Sequence, residues 1–169
     1  MPIHATLVTS MGDIRIRLLE ETAPITVENF VGLARGTKPW THPQNGTPRS
    51  DPLYSGTIFH RVIPKFMIQG GDPIGKGTEG PGYRFEDEVE KGPSFDKPGY
   101  LAMANSGPNT NGSQFFVTVA ATPWLTRKHT IFGEVVEGQE IADAISKVPT
   151  ISNRPNTDVV LHEVRIEER

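Results

Sequence analysis

The sequence predicts a mainly β domain, folded as a closed or nearly closed antiparallel barrel with two helices set against it. Three observations lead there. Glycine and proline number 17 and 15 among 169 residues, which implies many turns. Short runs of strand-like composition recur between turn-rich stretches along the chain. Only two segments hold the spacing of an amphipathic helix.

At the start, Ile3, Ala5 and Leu7 alternate with polar residues, and Ile14, Ile16 and Leu18 repeat the pattern after Met11-Gly12-Asp13. Period two on both sides of a glycine-containing turn predicts a hairpin. Pro24 then suits the first turn of a helix. Val27, Phe30, Val31 and Ala34 keep i, i+3, i+4, i+7 spacing, and Gly36 can end it. Residues 37–56 carry Pro39, Pro43, Pro48 and Pro52 among polar neighbours and read as a long surface loop. Strand-like runs follow at Thr57–Ile63, Phe66–Gln69, Tyr100–Ala104, Phe115–Val119 and Thr130–Val136. A second helix is expected over Gln139–Val148, with Ile141, Ala144, Ile145 and Val148 on one face and Pro149 as its stop. Val159–Ile166 reads as a closing strand. No repeat or linker interrupts the pattern, so residues 1–169 are expected to form one domain.

Composition excludes several function classes. The chain is 36% apolar and 22% charged, and no apolar run reaches the ~18 residues of a membrane helix. A net charge of -3 with interspersed signs gives no footprint for nucleic acid or anionic lipid. Cysteine is absent, which removes disulfides, thiol nucleophiles and Cys-ligated zinc. Met1-Pro2-Ile3-His4-Ala5-Thr6 lacks the pattern of a signal peptide, so a cytoplasmic location is expected. No apolar surface stripe stands out, so a monomer is expected.

Some motifs have no mechanism here. Gly75-Lys76-Gly77-Thr78-Glu79-Gly80 matches a dinucleotide fingerprint, but Pro81-Gly82 follows where a helix should begin. Glu86-Asp87-Glu88 reads as a solvated charged segment rather than a metal site. Asn45-Gly46-Thr47 and Asn111-Gly112-Ser113 read as turns, and no G-x-S-x-G elbow is present. No metal and no cofactor is expected.

Three segments concentrate aromatic, amide and cationic residues within strand-like runs. They are Phe59-His60-Arg61-Val62-Ile63-Pro64-Lys65-Phe66-Met67-Ile68-Gln69-Gly70-Gly71-Asp72, then the run from Met103-Ala104-Asn105-Ser106 to Gln114-Phe115-Phe116, then Thr122-Pro123-Trp124-Leu125-Thr126-Arg127-Lys128-His129-Thr130-Ile131-Phe132-Gly133. Together they resemble the signature segments of the cyclophilins, the cyclosporin-binding peptidyl-prolyl cis-trans isomerases, in the family's order and over nearly the whole chain. Composition and periodicity alone stop at a soluble β-rich domain.

The resemblance implies an eight-stranded antiparallel barrel capped by two helices, with the site on its outer face. It implies Arg61 as the catalytic cation and Phe66, Met67, Phe116, Leu125 and His129 as the proline pocket. Gln69, Asn105 and Gln114 would bind substrate backbone or hold Arg61, while Ala104, Trp124 and the Gly77–Thr78 turn would line the rim. Ser106, Glu79, Thr126-Arg127 and the loop from Thr37 to Tyr54 depart from many relatives; they flank the pocket for the residue before proline. Implied partners are proline-containing peptides and unfolded proteins, with cyclosporin A as an inhibitor.

Elementary chemistry fits those roles. Peptide-bond rotation meets a barrier of ~18–20 kcal/mol, whereas the two X–Pro isomers differ by only about 0.5–1 kcal/mol. Only the barrier needs help. As the bond twists, its nitrogen regains a lone pair, and a fixed donor aimed there favours the twisted state over both planar ones. Arginine is always charged and its donors are rigidly arranged. Adjacent Phe115 and Phe116 must face opposite sides of a strand, so Phe116 is expected at the site and Phe115 in the interior. By the same alternation His60 is expected to be a satisfied structural histidine. Two competing functions stay open at this stage: a proline-peptide binding module with incidental turnover, and a holdase using exposed apolar surface.

Overall fold

The structure is a computed structural model and describes residues 2–168. Strands β1 (Ile3–Thr9) and β2 (Gly12–Leu18) form the opening hairpin, followed by helix α1 (Pro24–Arg35). A small antiparallel pair comes next, β3 (Trp40–Thr41) with β4 (Pro48–Arg49). Then come β5 (Thr57–Ile58), β6 (Arg61–Ile63), β7 (Met67–Gly70), β8 (Tyr100–Met103) and β9 (Phe115–Thr118). A 3₁₀ turn at Pro123–Leu125 precedes β10 (Ile131–Glu137) and α2 (Gln139–Ser146). The pair β11 (Thr150–Ile151) and β12 (Arg154–Pro155) leads into β13 (Val160–Glu168).

Among the described residues, nine strands form one antiparallel sheet in the order β5-β13-β1-β2-β10-β8-β9-β7-β6. Its two edges, β5 and β6, are consecutive in the chain and separated only by Phe59 and His60. Three Cα–Cα steps span at most about 11 Å, so the edges lie close and the sheet must curl. Counted as one bent strand, β5 and β6 bring the number to the expected eight. The seam is crossed by covalent chain rather than by ladder hydrogen bonds, so the expected closed barrel is a curled sheet at that point.

Alternation along the strands creates two apolar clusters. Facing inward are Leu7, Ile14, Ile16, Val62, Ile68, Leu101, Phe115, Val117 and Phe132. Helix α1 inserts Phe30 among them, with its ring 5.1 Å from Tyr54, 5.7 Å from Phe115 and 5.1 Å from Phe132. The Tyr54 hydroxyl is buried and donates to the Ser113 carbonyl at 2.9 Å, so its polar end is satisfied. On the outer face, Met67, Phe95, Tyr100, Ala102, Phe116 and Ile131 form the second cluster.

Four local expectations are corrected. Residues 37–56 are not a plain surface loop, because they contain the β3–β4 pair and bury Trp40, Leu53 and Tyr54. Aromatic and aliphatic side chains there outweigh the surrounding prolines. The run Thr57–Ile63 breaks at Phe59–His60, where the chain changes edge. Helix α2 ends at Ser146 and buries Ala142, Ile145 and Ser146, while Ala144 points to solvent. The segment Glu86-Asp87-Glu88 is bonded rather than merely solvated. Asp87 and Asn109 exchange backbone and carboxylate or amide bonds at 3.0 and 3.1 Å, and the Asn111 amide donates to Asp87 at 2.9 Å.

Glu88 does more. Ala23 at the start of α1 offers no side-chain cap, and the first turn holds no acid. The Glu88 carboxylate supplies both from 62 residues away, accepting from Thr26 N at 2.7 Å, Thr26 Oγ1 at 2.8 Å and Ile25 N at 3.2 Å. Replacing Glu88 with alanine is expected to destabilise the fold by about 1–2 kcal/mol. Chemical denaturation checks this, and an unchanged midpoint would remove Glu88 as the cap.

Candidate active site

Register brings two of the three catalytic candidates, Arg61 and Gln69, into one row with Phe116, while Asn105 lies in the loop after β8. Arg61 pairs with Gln69 across β6 and β7, Gln69 with Phe116 across β7 and β9, and Phe116 with Ala102 across β9 and β8. Residues directly opposite on antiparallel strands share a face, so cation, amide and aromatic ring stand side by side on the outer surface. Phe115 faces the interior and Phe116 the site, as their adjacency requires.

The floor of the site is buried and apolar. Met67 is 1% exposed and Phe116 4%, with Phe95 stacked behind Phe116 at 6.0 Å and 13°. Phe66, Ala104 and Leu125 pack on this cluster half-buried. His129 forms one wall, its ring edge-on to Phe116 at 5.2 Å. His129 Nδ1 lies 2.9 Å from the Met103 carbonyl and 3.3 Å from the Asn105 amide nitrogen. Trp124 is 59% exposed at the rim, 6.1 Å from the Phe66 ring.

Arg61 is exposed and held by a chain of amides. Its Nη1 donates to Gln69 Oε1 at 3.2 Å, Gln69 Nε2 donates to Gln114 Oε1 at 3.0 Å, and Gln114 Nε2 donates to the Glu79 carbonyl at 3.0 Å. Beside this chain runs a cleft of about 720 Å³. Gln69, Gly77, Thr78, Ala104, Asn105, Ser106 and Gln114 line it, joined by Pro43, Tyr83 and Arg84. Pro43 connects the unusual 37–54 segment to the cleft.

Asn105 divides its groups. Its side-chain amide donates to the Lys128 carbonyl at 2.9 Å and its Oδ1 accepts from Gly107 N at 3.2 Å, which braces the two loops beside His129. No partner takes its backbone N–H among the described residues, leaving that donor for a ligand carbonyl.

Behind the site lies Asp72, fully buried. Burial alone would raise its carboxyl, but four backbone N–H groups donate to it, and the net result lies below the usual carboxylate value. His60 is not the satisfied histidine expected. Its Nδ1 is buried without a partner, and Gly77 of the neighbouring glycine-rich loop packs against the other, Nε2 edge of the ring. Desolvation lowers its basicity, the Asp72 charge partly restores it, and Arg154 and Arg61 lower it again.

All fourteen residues expected from the sequence lie in the row, the pocket or the cleft. Sequence reasoning missed Asp72, Phe95, Pro43, Tyr83 and Arg84. An acid followed by the glycines at 75, 77 and 80 is a signal for a loop wound around a carboxylate. The Gly75–Gly80 segment is irregular and starts no helix, which agrees with setting aside a nucleotide site. Among the described residues no three His, Asp or Glu side chains group to hold a metal. Asn111 is fully buried, in keeping with a structural role for Asn111-Gly112-Ser113.

Residues 4–166 match the sequence model of the family described as cyclophilin type peptidyl-prolyl cis-trans isomerase/CLD. Peptidyl-prolyl cis-trans isomerase B of Streptomyces anulatus is 56% identical, covering 99% of this chain and 98% of that one. Peptidyl-prolyl cis-trans isomerase A of Mycobacterium tuberculosis is 57% identical over 96% of this chain and 91% of its own. A crystal structure of a Cryptosporidium parvum cyclophilin-type isomerase in the presence of the dipeptide Ala-Pro superposes with a TM-score of 0.85 at 31% identity. That superposition covers 98% of this chain and 99% of that one.

Proposed function

The chain belongs to the cyclophilin-type peptidyl-prolyl cis-trans isomerases, and from that membership we propose that Arg61 is the cation that stabilises the twisted X–Pro bond above the Met67–Phe116 floor. The chain is an isomerase of X–Pro peptide bonds and acts on proline-containing peptides in assisting protein folding. The row Arg61–Gln69–Phe116 carries the residue assignment, because it places a fixed donor beside a dry apolar floor.

In this reading the prolyl ring enters between Phe66, Phe116, Leu125 and His129 over Met67, and the Asn105 N–H holds a substrate carbonyl on one side of the rotating bond. Gln69 and Gln114 orient Arg61, whose guanidinium meets the lone pair that appears on the pyramidalised nitrogen. No covalent step is involved. The residue before proline lies along the cleft past Ala104, Ser106 and the Gly77–Thr78 turn. Residues 1–169 act as a single isomerase domain, a cytoplasmic monomer that binds proline segments of unfolded proteins. Exposed large apolar side chains are scattered (Met11, Ile25, Trp124, Val136 and Ile151), which favours a localised site over a holdase surface.

Arginine does not titrate near neutrality and His60 is held toward its neutral form, so kcat/KM is expected to be nearly flat between about pH 6 and 9. A protease-coupled assay on a short X–Pro peptide measures it. A steep bell-shaped profile would transfer the chemistry to acid–base catalysis by His129.

Cyclosporin A is proposed to cover the same pocket and to contact Trp124. Trp40 is buried, so titration with cyclosporin A should change fluorescence chiefly at Trp124. That response should vanish in Trp124→Ala; persistence of the full signal would move the drug elsewhere.

A further inference from the structure

We propose that Asp72 is a positioning residue for the isomerase reaction, acting through the 74–79 loop and the two glutamines to aim Arg61. The inference rests on Arg61 being the catalytic cation. Asp72 Oδ1 accepts from Ile74 N at 2.8 Å and Gly75 N at 3.2 Å, and Oδ2 accepts from Gly77 N at 2.7 Å and Glu79 N at 3.1 Å. Gly75 and Gly77 hold φ of 80° and 86°, a left-handed geometry that lets N–H groups along one short loop converge on one carboxylate. From outside, Arg154 Nη1 clamps the same loop by donating to the Gly75 carbonyl at 2.6 Å.

The last residue of that loop sets a direction. Glu79 C=O only accepts, so Gln114 must turn its NH₂ toward it and its Oε1 toward Gln69. Gln69 must then present NH₂ to Gln114 and Oε1 to Arg61, which only donates. Reversing either amide would set donor against donor or acceptor against acceptor at an end of the chain. One buried carboxylate therefore fixes a carbonyl, the carbonyl fixes two amides, and the second amide supplies the only kind of atom that can hold a guanidinium. Asp72 itself lies behind the site and touches no substrate position.

Asp72→Asn turns one of the two acceptor atoms into a donor facing backbone N–H groups. The expected result is a drop in kcat of roughly 10-fold with KM little changed, since Arg61's aim matters in the twisted state. The deciding measurement is a double-mutant cycle with Gln114→Leu, run where circular dichroism shows every variant folded. In the Gln114→Leu background, Asp72→Asn should slow turnover no further, because the link is already cut. Independent losses that multiply, or an unchanged kcat in Asp72→Asn, would overturn the proposal. Should Asp72→Asn fail to fold, Arg154→Met loosens the same loop from the surface and enters the cycle with the same two readings. Activity retained by Arg61→Ala would instead remove the parent assignment. Activity lost there, with multiplying losses in the cycle, removes only the role of Asp72.

Discussion

Arg61→Ala is expected to slow X–Pro isomerisation by about 10²–10³-fold, or about 3–4 kcal/mol of transition-state stabilisation, with the fold intact. The magnitude follows from what the group does. A site that lowers an 18–20 kcal/mol barrier without covalent chemistry must find about 6–9 kcal/mol, and a charged donor beside a dry floor is its strongest single term. Low local dielectric strengthens that term, because Met67 and Phe116 exclude water on one side. Alanine leaves Gln69 Oε1 without its donor but opens no core cavity, since Arg61 is exposed. The stability change should therefore stay within about 0.5 kcal/mol. Arg61→Lys should recover only part of the loss, because a point cation on a flexible stem cannot keep the Gln69 contact and aim a second donor together. Turnover of a trans-enriched X–Pro peptide, with thermal denaturation alongside, measures both quantities. An Arg61→Ala enzyme of full activity would end the assigned role.

Phe115→Ala is expected to be the most damaging single change to stability. Phe115 is fully buried, and its ring meets Phe30 at 5.7 Å, Tyr54 at 5.5 Å and Phe59 at 6.2 Å, each edge-on. These neighbours belong to α1, the 37–56 segment and the β5–β6 seam, so one ring joins three parts of the molecule. Removing it takes away apolar burial and leaves a cavity whose aromatic walls are anchored on separate elements and cannot collapse together. The loss should reach about 3–5 kcal/mol and lower the melting midpoint by roughly 6–20 °C. Calorimetry or urea denaturation reads it directly. A loss below about 1 kcal/mol would mean that the interior repacks and that Phe115 does not join these elements.

The sequence by itself determined the class of fold, the existence of both helices and the outward face of Phe116, and its three signature segments supplied the residues proposed for the pocket. The reason is local. A strand's period of two, proline at the start of α1 and glycine at its end act within a few residues, and the three signature segments run through contiguous chain. Only the tertiary structure decided how those segments meet. The Glu88 cap on α1 and the bonds of Asp87 join residues more than twenty positions apart, the break at Phe59–His60 depends on where the sheet curls, and a charged triplet looks the same in a row of letters whether it faces water or a helix end. His60 and Asp72 are the sharpest cases. Alternation turns His60 away from Arg61 and says nothing of Asp72, and what lies against one ring and which four N–H groups surround one carboxylate depend on how a glycine-rich loop folds back. Backbone hydrogen-bond donors carry no residue identity, so contacts made through them leave little trace in sequence and appear only when the chain is folded.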